Sequence, residues 1–208
     1  MIYELNSTYP SRVIASTKSR GSAARERLLR AAAEELVAAG ELEVAAVARR
    51  AGVSAGLPYR YFGTRSGLLI AVVEDFYDKL GSACALRLYD APTWATREQQ
   101  RIRDWVTFLY TEPLAPVVLG GLTGDGQVAA AHSRLLRRLT DLGAQNIAGG
   151  QRDGELPRDR DPEMLAAATL GGTHAIAAVA LARSPRPPAD AVADQVWAFV
   201  AGAVGLRP

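Results

Sequence analysis

Between Arg49 and Arg65 this sequence gathers side chains suited to holding a charged polymer. Arg49, Arg50, Arg60 and Arg65 are interleaved there with Tyr59, Tyr61 and Phe62. Guanidinium groups bind phosphate oxygens and the acceptor edge of guanine, and polar aromatics reach phosphates while their rings pack. A second set is dispersed and more apolar: Trp105, Phe108, Tyr110, His132, Thr169, Thr173 and His174. Such residues suit a pocket that encloses a small molecule and orients it through few polar contacts, and a place in the core is the alternative for each of them. Metal chemistry has little to work with. His132 and His174 are the only two histidines, Cys84 is the only cysteine, and none of them shows the paired spacing of a ligand set. No metal site and no cofactor is therefore expected. A Gly-x-Ser-x-Gly elbow, a P-loop and a dinucleotide fingerprint are all missing, which argues against an enzyme.

The basic and aromatic cluster needs a scaffold, and the local sequence supplies one. Alanines and valines over 44–51 support a short helix, with Arg49 and Arg50 in its last turn, where cations suit the dipole. Gly52 follows as the residue able to take positive φ at a helix end, and Ser54 reads as the N-cap of a second helix. Ala48, four residues before Gly52, lets the two helices approach. Two helices joined in this way form the unit that lays its second helix in the major groove. On that helix Ala55 and Leu57 offer apolar contact, for example to thymine methyls, and Arg60 is the single long donor. Pro58 removes a backbone N–H and biases Leu57 away from the α region. The helix then either begins irregularly or starts at Pro58 as its first residue. Thr64 reads as the cap of the next helix, which opens with Arg65.

Ala51-Gly52-Val53-Ser54, Gly56, Tyr59-Arg60-Tyr61-Phe62 and Leu68-Leu69 together resemble the DNA-binding signature of the TetR family of transcriptional regulators, over roughly residues 24–80. The resemblance implies an all-α chain, with an N-terminal three-helix helix-turn-helix domain and a larger C-terminal helical domain for ligand binding and dimerisation. It places Arg25, Ser54, Ala55, Leu57, Tyr59, Arg60, Tyr61 and Arg65 at the DNA and turns Phe62 inward. Partial burial is the alternative for both tyrosines. It also implies a homodimer through the last two helices, a palindromic double-stranded operator, and a small-molecule effector that releases a repressor from it. An activator of the same geometry, a constitutive dimeric DNA-binding protein without effector, and a helical-bundle enzyme remain as alternatives. Two departures stand out. Glu41-Leu42-Glu43 replaces a threonine-containing segment, and Pro58 stands where an apolar helix-former is usual.

Bulk properties agree with this reading. The chain has 208 residues, 49% of them hydrophobic and 22% charged, a globular composition. Residues 11–65 carry ten Lys/Arg against five Asp/Glu, whereas the remainder is slightly acidic. Positive charge thus collects with the helix-turn-helix, as a phosphate-facing module requires. No apolar run is expected to approach the ~20 residues that span a bilayer, and no signal peptide is evident, so a cytoplasmic protein without membrane contact is expected. A lone cysteine fits a reducing compartment.

The expected divisions are a basic arm over 1–21, the helix-turn-helix domain over 22–66 and an effector-binding and dimerisation domain over 67–208. Apolar periodicity predicts helices over 23–39 and 65–80. Thr93 caps a predicted helix over 94–111, a short helix is expected within 114–119, and another runs over 127–147, closed by Gly149-Gly150. Asp161-Pro162-Glu163 is a strong start for a helix reaching 182, with Gly171-Gly172 in its middle, and a last helix covers 189–204.

Overall fold

The computed structural model describes residues 20–121 and 125–206, and every regular element among them is helical. Most of the predicted basic arm therefore lies outside the described residues, while Arg20 opens the first helix. In chain order the helices are α1 (Arg20–Ala39), α2 (Val44–Arg50), α3 (Leu57–Phe62), α4 (Arg65–Leu80), α5 (Trp94–Thr111), α6 (Ala115–Leu119), α7 (Gly126–Arg152), α8 (Pro162–Ala182) and α9 (Ala189–Ala203). Helix α4 runs on through a π-helical turn, Gly81–Ala85.

Local signals explain most boundaries. Thr64 Oγ1 accepts the Gly67 N–H at 2.9 Å, and Thr93 forms a reciprocal capping box with Thr96. Asp161 accepts the Met164 N–H ahead of Pro162. Three expectations are corrected. Ser54 does not cap α3 with its side chain, because α3 starts three residues later, with Gly56 at the N-cap. Gly149-Gly150 does not end α7, which continues to Arg152. Gly150 lies inside the fold, where a Cβ would come within 2.9 Å of both Leu156 and Trp94, so close packing rather than chain termination fixes a glycine there. Finally, α8 is long and apolar enough, by length and composition, to cross a membrane, contrary to the expectation that no such run exists.

Two buried clusters hold the chain together. One unites α1 to α4 through Leu28, Val47, Leu68, Val72 and Phe76, and continues into Leu109, Val118, Val128 and Leu181. The other joins α5, α7, α8 and α9 through Ile102, Val106, Ile147, Val196 and Val200. Burial of this kind contributes about 25 cal/mol per Å² of apolar surface. The first cluster runs without a break from the helix-turn-helix into the C-terminal helices. Mid-helix Gly172 is explained by it neighbour: a Cβ there would sit 2.3 Å from the Phe199 ring of α9.

Candidate nucleic-acid interface and effector cavity

Helix α2 ends in a Schellman arrangement. Gly52, at φ 65°, donates to the Arg49 carbonyl at 3.2 Å, and Val53 donates to that of Ala48 at 3.0 Å. Beyond the adjoining residues no atom lies within 4 Å of a Cβ built on Gly52, so the glycine is needed for its backbone angle and not for space. The chain then turns, with Leu57 N–H donating to the Ser54 carbonyl at 3.0 Å, and α3 begins with proline in its first turn. The helix thus starts one residue before the start at Pro58 considered above: Leu57 is its first residue and Pro58 its second, with the proline ring buried and its missing N–H falling where helices have unpaired donors anyway.

The outer side of this unit presents Ser54, Ala55, Tyr59 and Arg60, all exposed, with Tyr59 at 52%. Leu57, Tyr61 and Phe62 are half-buried and pack against the first core cluster. Arg60 has no salt bridge or side-chain hydrogen bond among the described residues. Arg25, from α1, lies 5.6 Å from the centroid of the Phe62 ring, which ties a cation to the edge of the same surface. Arg65 is anchored: its Nε donates to the Leu42 carbonyl at 2.8 Å, bracing α4 against the segment before α2. Arg50 is spent internally on Glu35 at 2.9 Å and Glu34 at 3.7 Å, so of the α2 pair only Arg49 keeps an unengaged guanidinium among the described residues. Gly67 has no distinguishing sequence signal, yet a Cβ there would come within 2.1 Å of the Phe62 carbonyl oxygen. The glycine lets α4 pass directly over the end of α3.

The C-terminal helices enclose a cavity of about 210 Å³. Its wall is mainly apolar, with Leu80 from α4, Ile102 and Trp105 from α5, Leu142 from α7, Leu170 from α8 and Val200 from α9 among the lining residues. Polar groups are few: Glu98, Arg101, Asn146, Thr169, Thr173 and the Cys84 thiol. Burial pushes that thiol up to about 12, and it donates to the Leu80 carbonyl. The sequence pool is thus divided. Trp105, Thr169 and Thr173 line the cavity; Phe108, Tyr110, His132 and His174 do not. Phe108 packs on Phe76 at 5.4 Å, and the Tyr110 hydroxyl donates to the Pro187 carbonyl at 2.9 Å. His132 Nε2 pairs with the Tyr77 hydroxyl at 2.7 Å and is held below the usual imidazole range by burial. His174 stacks on Trp105 with ring centroids 5.9 Å apart, behind the wall, and burial, helped by the neighbouring His132, pushes it down to about 4. Glu98, Arg101 and Asn146 escaped the sequence pool because nothing in the periodicity of α5 or α7 distinguishes an inward charged residue from a solvated one.

Two polar contacts join α4 to the long helix α7. Ser66 Oγ donates to Asp125 Oδ2 at 2.5 Å, while Asp125 Oδ1 caps α7 by accepting from Gln127 and Val128. These donors, Ser66 first, hold the Asp125 carboxyl below its ordinary range. The Tyr77–His132 pair is the second link.

Residues 28–72 match the model of the bacterial regulatory proteins of the tetR family. The chain is 27% identical over 157 residues to the HTH-type transcriptional regulator BetI of Escherichia coli K12, covering 67% of this chain and 73% of that protein. Its fold resembles the fatty acid degradation regulator FadR of Bacillus halodurans, with a TM-score of 0.75 at 17% identity over 92% of this chain and 99% of that one. FadR of Bacillus subtilis, solved in complex with stearoyl-CoA, gives 0.73 at 17% identity, over 88% and 99%.

Proposed function

We propose, from the premise that this chain belongs to the tetR family of bacterial regulatory proteins, that it is a sequence-specific DNA-binding repressor whose C-terminal cavity takes a releasing effector. One observation carries this reading. Helix α4 opens with Arg65, braced against the helix-turn-helix, and ends with Leu80 in the cavity wall. A molecule that reshapes the cavity therefore acts on an element that also positions α3. An effector shifts such an equilibrium only by binding the two conformers differently.

The DNA-facing residues are Arg25, Ser54, Ala55, Leu57, Tyr59, Arg60, Tyr61 and Arg65. In this assignment Arg60 reads a base edge, the tyrosines meet phosphates, and Arg65 acts chiefly as a brace with its terminal amino groups toward the backbone. The stearoyl-CoA complex of the Bacillus subtilis FadR supports a ligand-holding role for this fold. The protein is a regulator and not a catalyst, and it works in the cytoplasm, where its DNA is.

A second copy completes the reader. Met164 and Val179 on α8 are 73% and 55% exposed, and Phe199 on α9 is 37% exposed. The small residues Ala167, Ala168, Gly171 and Ala175 are exposed along α8 as well. An apolar helix with this much uncovered surface needs a partner, and a two-fold copy meeting it through α8 and α9 would pair two recognition helices on a palindrome.

Release is the test. With a duplex that the protein selects, fluorescence anisotropy is followed while small, largely apolar molecules are added. At least one compound that raises the melting temperature of the free protein should also free the DNA. Cavity binders that all leave the complex intact would make the protein a constitutive DNA-binding dimer.

A further inference from the structure

The polar end of the cavity is a balanced ion pair. Glu98 Oε2 accepts from Arg101 Nη1 and, at 2.8 Å, from Asn146 Nδ2. Both charged side chains are largely buried, with 16% and 23% of their surfaces exposed. Asn146 is held in turn by the Trp94 indole N–H, which donates to its backbone carbonyl at 3.2 Å. Arg101 also lies over the Tyr89 ring, 4.9 Å from its centroid. Each partner keeps spare capacity. Glu98 Oε1, and the Nε and Nη2 of Arg101, form no hydrogen bond among the described residues.

Resting on the reading that this cavity is the effector site, we propose that its ligand is an uncharged, largely apolar molecule bearing one head that both donates and accepts a hydrogen bond, a hydroxyl or a carboxamide. Such a head donates to Glu98 Oε1 and accepts from a free N–H of Arg101, and the pair stays intact. A carboxylate head instead sets a second anion against the single cation, and an ammonium head sets a second cation against the single anion. Either leaves a half-buried charge without its counterion, which is costly where water is scarce. Among the described residues Arg101 is the one cation lining the cavity and is already paired, so no basic cluster among them awaits a phosphorylated head. The described lining residues form no aromatic cage for a quaternary ammonium either. One face of Trp105 is covered by His174 in a near-parallel stack, and Trp94 is 3% exposed. The remaining wall, Leu80, Ile102, Leu142, Ile147, Leu170 and Val200, suits an aliphatic or alicyclic body.

Four probes with one alkyl chain separate the possibilities: octanol, octanamide, octanoate and octyltrimethylammonium, titrated calorimetrically into the full-length protein without DNA. The two neutral probes should bind at least about tenfold more tightly than either charged one. Glu98→Gln leaves Arg101 unneutralised, so octanoate should then gain about tenfold relative to octanol. Tighter binding of a charged probe by the unaltered protein would overturn the proposal, as would binding of none of the four. The unaltered protein decides the ranking even if Glu98→Gln fails to fold. Operator release is scored separately. Release by a charged probe leaves the effector reading standing and removes this inference, whereas tight neutral binding without release does the reverse.

Discussion

In the proposed reading, Arg60 is the side chain on which readout most depends. It is exposed on a six-residue helix whose other outward groups are short or aromatic, so it alone can make two hydrogen bonds to a guanine edge. Arg60→Ala should weaken operator binding by about 1–3 kcal/mol and relax specificity at one position, as competition among operator variants would show. A uniform loss across all sequences would make Arg60 a phosphate contact. His174 makes a different prediction, about pH. Its folded value lies near 4, below the ordinary 6.5, so the unfolded chain takes up the proton first. Its contribution to stability is complete above about pH 6.5 and is lost as pH falls toward 4, on the order of 3 kcal/mol. Denaturant melts of the unaltered protein and of His174→Phe should diverge within that window. Asp125 and Glu155, whose carboxyls are held low by Ser66 and by the Trp94 N–H respectively, shape the acid limb below it.

Among the elements, α7 runs beside α4 as a second connection between the helix-turn-helix side and the cavity. Its 27 residues span roughly 40 Å at 1.5 Å per residue, from the Asp125–Ser66 clasp to the cavity wall at Leu142 and Asn146. Ser66→Ala removes the clasp without touching the cavity. It should leave ligand affinity of the free protein unchanged and lower the coupling between ligand and DNA by about 0.5–2 kcal/mol, read from operator affinity with and without ligand. Equal coupling in the two proteins would assign transmission to α4 alone. The element boundaries also mark how far the sequence is legible. Thr64, Thr93 and Asp161 announce their helices because a cap acts within four residues of itself. Gly149-Gly150 misleads because its purpose, room for Trp94 and Leu156, is set by segments far away in the chain. Ser54 misleads because Pro58 delays α3. The helix-turn-helix surface was legible because its chemistry is local. The cavity was legible only in part: Trp105, Thr169 and Thr173 stood among the candidates, whereas Glu98, Arg101 and Asn146 meet only after α5 and α7 have packed.

For the molecule as a whole, the DNA module and the cavity share one framework. The first core cluster extends from Leu28 to Leu181 without an insulating layer, so a change at α5 or α8 reaches α4 through packed side chains. What the single chain leaves uncovered, the apolar surface of α8 and α9, is what a two-fold partner would bury, and a single α3 of six residues reads too little sequence to act alone. Dimeric sequence reading is the claim on which the rest depends. Selection of bound sites from random duplex DNA, with purified full-length protein at moderate salt, tests it most directly. The expected product is an inverted repeat whose half-sites lie about one helical turn apart. Salt-sensitive binding with no enriched sequence would contradict the account, because it would reduce the basic surface to a general attraction for phosphate.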